Sequence, residues 1–215
     1  MPLFVDLLLY MTTINGMPTE KDKVLYMLRD SPILHARDFS KAGIGSKNLT
    51  RMVIKKEIQR IDRGLYTTPG YIPGTYHSLI EASKLIKNGT ICLLSALSYY
   101  EIGTQNPSVV WIALNRKMRV PRVKNHPIRI AQFSGKAYEE GRTIISVDST
   151  EIHIYNIPKT IADCFKYRNK IGLDVAIEAL KEVLLQKKAT MDELIYYAEI
   201  CRVKKIMTTY MEAII

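Results

Sequence analysis

The chain is poor in cysteine. Cys92, Cys164 and Cys201 are the only three in 215 residues, an odd number at wide spacing. That excludes a disulfide framework and paired-thiolate zinc motifs, and it suits a reducing compartment, the cytoplasm. The four histidines, His35, His77, His126 and His153, are equally dispersed. Each reads as a structural or surface residue, so no metal and no cofactor is expected. No apolar run approaches the roughly 20 residues of a membrane-spanning helix. The start, MPLFVDLLLYM, is apolar but contains Asp6 and lacks the basic region and cleavage site of a signal peptide. Residues 1–16 are therefore left as an uncertain leader, either a short leading helix or an extension upstream of a later start at Met11 or Met17.

Signatures of catalysis are missing too. There is no GxxxxGK[ST], GxSxG, HExxH or paired CxxC. A restriction-type nuclease needs a carboxylate two residues before a lysine, so that both reach a metal and the attacking water. No lysine in the chain has Asp or Glu at that position. The expectation is that the protein is not an enzyme.

What the sequence has in excess is positive charge. Lys and Arg number 31 against 21 Asp and Glu, a net charge of +10, with a pI of about 9.4. Such a balance attracts polyanions: DNA, RNA or an anionic membrane surface. The 47% hydrophobic content is ordinary for a globular protein, and the length suits one large domain or two small ones.

From Thr19, which can cap, Val24, Leu25 and Leu28 form a helical stripe that Ser31-Pro32 stops. A short helix is predicted over 36–41, then a glycine turn, Ala42-Gly43-Ile44-Gly45. Ser46 is expected to cap a third helix reaching about Lys56, with Leu49, Met52 and Val53 as its buried face. Residues 57–69 read as a small hairpin turning at Asp62-Arg63-Gly64. Pro69-Gly70 and Pro73-Gly74 place a boundary there, giving domains over 17–73 and 74–215. The second part opens on a Ser78/Glu81 capping-box pattern. It continues with a helical stretch from Ile91 to about Glu101 and strand-like runs over 109–114, 128–133, 143–147 and 151–155. Helices follow over 174–185, from a capping box at Thr190-Met191-Asp192-Glu193 to about Cys201, and from about Val203 to the end. The fold class expected is α+β.

Three helices, a glycine turn before the third and a basic hairpin after it are the parts of a winged helix-turn-helix. Its third helix must pack one face on the others and offer polar groups on the opposite face to phosphates and base edges. Here that face can present Ser46, Lys47, Asn48, Thr50, Arg51 and Lys55, and Asn and Arg are the side chains that read adenine and guanine bidentately. The hairpin adds Arg60 and Arg63. Between Ile44 and Arg63 the basic residues are Lys47, Arg51, Lys55, Lys56, Arg60 and Arg63, against only Glu57 and Asp62. A winged helix used only for protein contacts, with this face merely solvated, is the alternative.

The string AGIGSKNLTRMVIKKEIQRIDRGLYTTPG resembles the N-terminal domain of AbiEi-type antitoxins of abortive-infection toxin–antitoxin systems. The resemblance continues through SALSYYEIGTQNP (95–107), VVWIALNRKMRVPR (109–122) and IYNIPKTIADCFKYRNKIGLDVAIEALKE (154–182). It implies a transcriptional autorepressor that binds an operator in its own promoter. It also implies neutralisation of a toxin with a nucleotidyltransferase-like fold, in many members without a stable complex. A winged-helix regulator with no toxin partner is the alternative.

A second basic run lies downstream. From Asn115 to Lys136 stand Arg116, Lys117, Arg119, Arg122, Lys124, Arg129 and Lys136, with no acid between them. Lys166, Arg168 and Lys170 add a smaller cluster, and Asp163 just before it reads as the partner of a nearby cation. The run is either a solvated face or a second nucleic-acid surface.

Overall fold

Thr19 fixes the start of the first helix. Its hydroxyl accepts from the Asp22 N–H at 3.2 Å while the Asp22 carboxylate accepts from the Thr19 N–H at 3.0 Å, a reciprocal capping box. In the computed structural model, which describes residues 19–121, 123 and 126–214, this opens α1 (Glu20–Asp30). The expected leader, Arg122 and Lys124 lie outside the described residues.

The first unit, which among the described residues covers 19–74 with 148–150, continues with β1 (Leu34–His35), α2 (Ala36–Lys41), α3 (Ser46–Ile54), β2 (Gln59–Asp62) and β3 (Leu65–Thr67). The strands form an antiparallel sheet in the order β1-β3-β2. Val24 and Leu28 of α1, Phe39 of α2, Leu49 and Met52 of α3, and Ile58 and Tyr66 share one buried cluster. Gly43, at φ +80, makes the turn that leads into α3.

Ser46 is not the cap of α3. Gly45 holds that position and no side chain caps the helix. The helix also stops before Lys56, because Lys56 adopts the left-handed conformation (φ 58) that closes helix C-termini.

The second unit, 75–147 with 151–215, contains α4 (His77–Leu85), β4 (Thr90–Ile91), α5 (Leu93–Tyr99), β5 (Val110–Asn115), β6 (Ile128–Phe133), α6 (Lys136–Glu139), β7 (Arg142–Val147) and β8 (Thr150–Tyr155). Five helices follow: α7 (Ile157–Lys166), α8 (Arg168–Ile171), α9 (Leu173–Leu185), α10 (Met191–Ile200) and α11 (Lys204–Ile214). The sheet order is β6-β5-β4-β8-β7. β5 runs parallel to β6, pairing Val110 with Ile128 through Asn115 with Phe133, and antiparallel to β4. Parallel neighbours need a crossover, and the connection that leaves β5 carries Arg116, Lys117 and Arg119 of the basic run. The chain is thus α+β.

Two expectations fail here. Ser78 does not cap α4: the helix begins at His77 after Tyr76, with no side-chain cap. Ile91 belongs to a strand, because Thr90 and Ile91 fill the centre of the sheet between β5 and β8. A short, fully buried apolar run has no period by which strand and helix can be told apart.

α7 is the centre of this unit. Every residue from Pro158 to Phe165 is buried, Lys159 and Asp163 included. Asn156 caps it, accepting from the Lys159 N–H at 3.0 Å. Gly141 is needed beside it: at φ +77, a Cβ there would stand 2.7 Å from the Lys159 Cβ. Among the described residues no helix is long and apolar enough to cross a membrane.

Candidate nucleic-acid interface

The outer face of α3 follows from helical spacing. Ser46, Lys47, Thr50, Arg51, Ile54 and Lys55 are all exposed, while Leu49 and Met52 point into the core. The Thr50 hydroxyl donates to the Ser46 carbonyl at 3.0 Å. Lys47, Arg51, Lys55 and, in the hairpin, Arg63 make no side-chain hydrogen bond or ion pair among the described residues.

Asn48 is placed differently from expectation. It is half-buried on the flank of α3, and its amide donates to the Glu20 carboxylate of α1. Ile54 takes the place the sequence reading gives to polar groups. It is 76% exposed, one turn beyond Thr50 on the same face.

The hairpin stands beside this face. Arg60 pairs across with Tyr66, and the register shifts between Arg60 and Asp62, so the strand carries a bulge. The Arg60 guanidinium donates through Nε to the Asp62 carbonyl at 3.1 Å, and the Arg63 N–H donates to the Asp62 carboxylate at 2.6 Å. Gly64 turns the chain at φ +80. A hollow of about 360 Å³, lined by Val53, Lys56, Ile58, Gln59, Arg60 and Pro69, lies between the end of α3 and the hairpin.

Of the two acidic residues of the segment, Glu57 is bound by Lys21 of α1 at 2.8 Å, and that hydrogen bond holds its carboxyl below the usual range. Glu57 also feels the charges of Lys55 and Arg51. Asp62 is turned onto the Arg63 backbone.

The second basic run is divided. Arg116, Lys117 and Arg119 are exposed on the β5–β6 crossover. The Lys117 N–H donates to the Asn115 side chain at 3.0 Å. Tyr167 donates to the Gln132 carbonyl at 3.0 Å, and burial pushes its phenol up to about 12, with Arg116 pulling the other way. Lys166 and Arg168 face another group: Lys166 Nζ donates to the Cys201 carbonyl at 3.2 Å, and Arg168 shares a hollow with Arg202 and Lys205. Arg202 and Lys205 lie more than 30 residues from Arg168 in the chain, so no local pattern groups them with it.

Lys159 and Asp163, the buried charged residues of α7, form one cluster with Tyr155 and Cys201. Lys159 Nζ donates to Asp163 Oδ2 at 2.5 Å and lies 4.0 Å from the centre of the Tyr155 ring. The other Asp163 oxygen accepts from the Cys201 thiol at 3.2 Å. Burial pushes the Asp163 carboxyl up against the pull of the Lys159 ammonium, and it raises the thiols of Cys92, Cys164 and Cys201, all unpaired and buried. Asp163 does pair with a cation, as read from the sequence, and the cation is four residues away.

The histidines are less dispersed than their spacing suggests. His77 and His126 both reach Glu81, at 3.1 and 3.3 Å. His35 caps α2, its Nδ1 accepting from the Arg37 N–H at 3.2 Å. Among the described residues no group of three or more His, Cys, Asp and Glu could hold a metal ion.

No protein-family model matches the sequence, and no curated protein matches it. Among solved structures the chain is similar to the Rv2827c protein from Mycobacterium tuberculosis. The TM-score is 0.54 at 13% identity, over 85% of this chain and 72% of that one. At that identity the likeness concerns the fold alone.

Proposed function

We propose that the first unit is a winged helix-turn-helix that binds duplex DNA, and that the protein is an antitoxin and autorepressor of a toxin–antitoxin operon. One observation carries the DNA reading: α3 turns Lys47, Arg51 and Lys55 outward, none of them in a side-chain hydrogen bond or close ion pair among the described residues, beside a hairpin bearing Arg60 and Arg63. In this reading α3 enters the major groove and the hairpin is the wing. The strand order β1-β3-β2 and the glycine turn before α3 suit that fold.

The antitoxin part rests on the sequence resemblance to AbiEi-type proteins. It assigns the second unit to the neutralisation of a nucleotidyltransferase-like toxin.

Salt tests the DNA reading. Each phosphate neutralised releases condensed counterions, so log affinity should fall with log salt by about 0.9 per contact. An anisotropy titration of the full chain against its own upstream region, at several salt concentrations, should show a steep slope. A flat response, or no duplex binding at low salt, rejects the reading. For the antitoxin part, co-expression with the product of the neighbouring reading frame should rescue growth.

A further inference from the structure

We infer that the second unit holds a binding site for a phosphate ester of mononucleotide size, formed by Arg168, Arg202 and Lys205. These residues line one hollow of about 350 Å³ with Val203, Ile206 and Thr209, a size within the usual range of small-ligand pockets. Three cations line it and no acidic residue does.

The cations are supplied by elements far apart in sequence. Arg168 opens α8, and its Nη1 donates to the Phe165 carbonyl at 2.9 Å, which orients the guanidinium and leaves most of its five N–H donors free. Arg202 stands in the turn between α10 and α11, at φ +59. Lys205 lies in the first turn of α11. The Arg202 N–H donates to the Glu199 carbonyl at 3.0 Å and the Lys205 carbonyl accepts from the Thr209 hydroxyl at 3.1 Å, but neither side chain has a hydrogen bond or ion pair among the described residues. The nearby acid, Glu199, is taken by Lys204 at 2.6 Å. Lys166 is anchored on the carbonyl of Cys201, the residue next to Arg202 in the chain.

The backbone favours the same ligand. Met207 is the first residue of α11 whose N–H finds an acceptor one turn back, at Val203. The N–H groups of Lys204, Lys205 and Ile206 therefore have no partner within the helix, and no acidic side chain stands in its first turn. A phosphate can take these donors and relieve the mutual repulsion of the cations. Val203 and Ile206 give the hollow an apolar wall. That wall suits a base or other flat apolar group attached to the phosphate, so an ester is expected to bind more tightly than the bare anion.

The test is calorimetric titration of the full chain at fixed ionic strength with AMP, pyrophosphate and adenosine. AMP should saturate one site, pyrophosphate should bind more weakly and compete, and adenosine should not bind measurably. Arg202→Gly removes the cation at a backbone position that glycine prefers, so the fold should be kept. That variant and Lys205→Gln should each weaken AMP by about tenfold or more, the usual worth of a charge-assisted hydrogen bond. Lys187→Gly, at another left-handed turn (φ 53) outside the hollow, and Arg51→Ala on α3 should leave AMP binding unchanged. Absence of saturable AMP binding, or equal weakening by Lys187→Gly, overturns the site. Because Arg51→Ala probes the DNA face alone, failure of the DNA reading would leave this result standing.

Discussion

Lys159 and Asp163 show what a single buried pair demands. Both side chains are fully buried, and the ammonium has two aromatic rings and one carboxylate around it. Removing one partner leaves a charge with no water to receive it. Asp163→Ala should therefore cost about 3–5 kcal/mol in urea unfolding. The double change Lys159→Met with Asp163→Leu removes both charges at similar volume and should lie within about 1–2 kcal/mol of the native protein. If the single variant proves as stable as the double, the pair is not an ion pair in the folded protein.

Ile54 is apolar where the rest of its helix face is polar or charged. An isoleucine 76% exposed on a basic helix face gains nothing from water, but it suits the methyl group of a thymine in the major groove. In the DNA reading, Ile54→Ser and Arg51→Ala should lower the preference for operator over random DNA, the arginine by roughly 1–3 kcal/mol. Arg63→Ala should weaken both DNAs about equally, since a phosphate contact carries no sequence information. Competition titrations decide it. A loss of preference confined to Arg63→Ala would reverse the roles of helix and hairpin.

Among elements, what the sequence makes legible is whatever is local. The boxes at Thr19/Asp22 and Thr190/Glu193 each consist of four consecutive residues. Both can be read directly, whereas the Ser78/Glu81 pattern looks the same and fails because Glu81 is drawn to His77 and His126. The position of β4 depends on strands 20 and 60 residues downstream, which no local pattern reports. Asn48 is similar: its spacing fits the outer face of α3, yet Glu20, 28 residues earlier, holds it on the flank.

The two true boxes carry a pH signature. The Thr19 hydroxyl and N–H hold the Asp22 carboxyl below its ordinary value, and the Thr190 N–H and hydroxyl do the same for Glu193. A carboxylate whose pKa is lower folded than unfolded adds stability above its unfolded value, about 4. That stability is lost as pH falls through the folded value. Asp22→Asn and Glu193→Gln should therefore make unfolding free energy less dependent on pH between about 5 and 3. Thr19→Ala should cost about 1 kcal/mol at neutral pH, as a lost cap does. An unchanged acid slope in the double carboxylate variant would mean that neither box persists in solution.

For the whole molecule, the chain divides into two units. The cluster built around α7 draws only on residues 92–211, and the cluster around α3 only on residues 24–66. Each unit thus has its own apolar core, which is what independent folding requires. If DNA binding belongs to the first and toxin neutralisation to the second, the two tasks are separable. The full chain carrying Arg51→Ala, Arg60→Ala and Arg63→Ala should lose repression of its promoter and still protect cells from the toxin. None of those three side chains is buried in the core of the first unit, so a loss of repression would not reflect unfolding, and circular dichroism should confirm this. A fragment of residues 75–215 should be folded, fail to repress and retain protection. Both would be scored in one strain, by a promoter reporter and by growth under toxin induction. A folded fragment that gives no protection, together with a triple variant that also fails, would mean that neutralisation acts through bound DNA, and the assignment of separate tasks would fall.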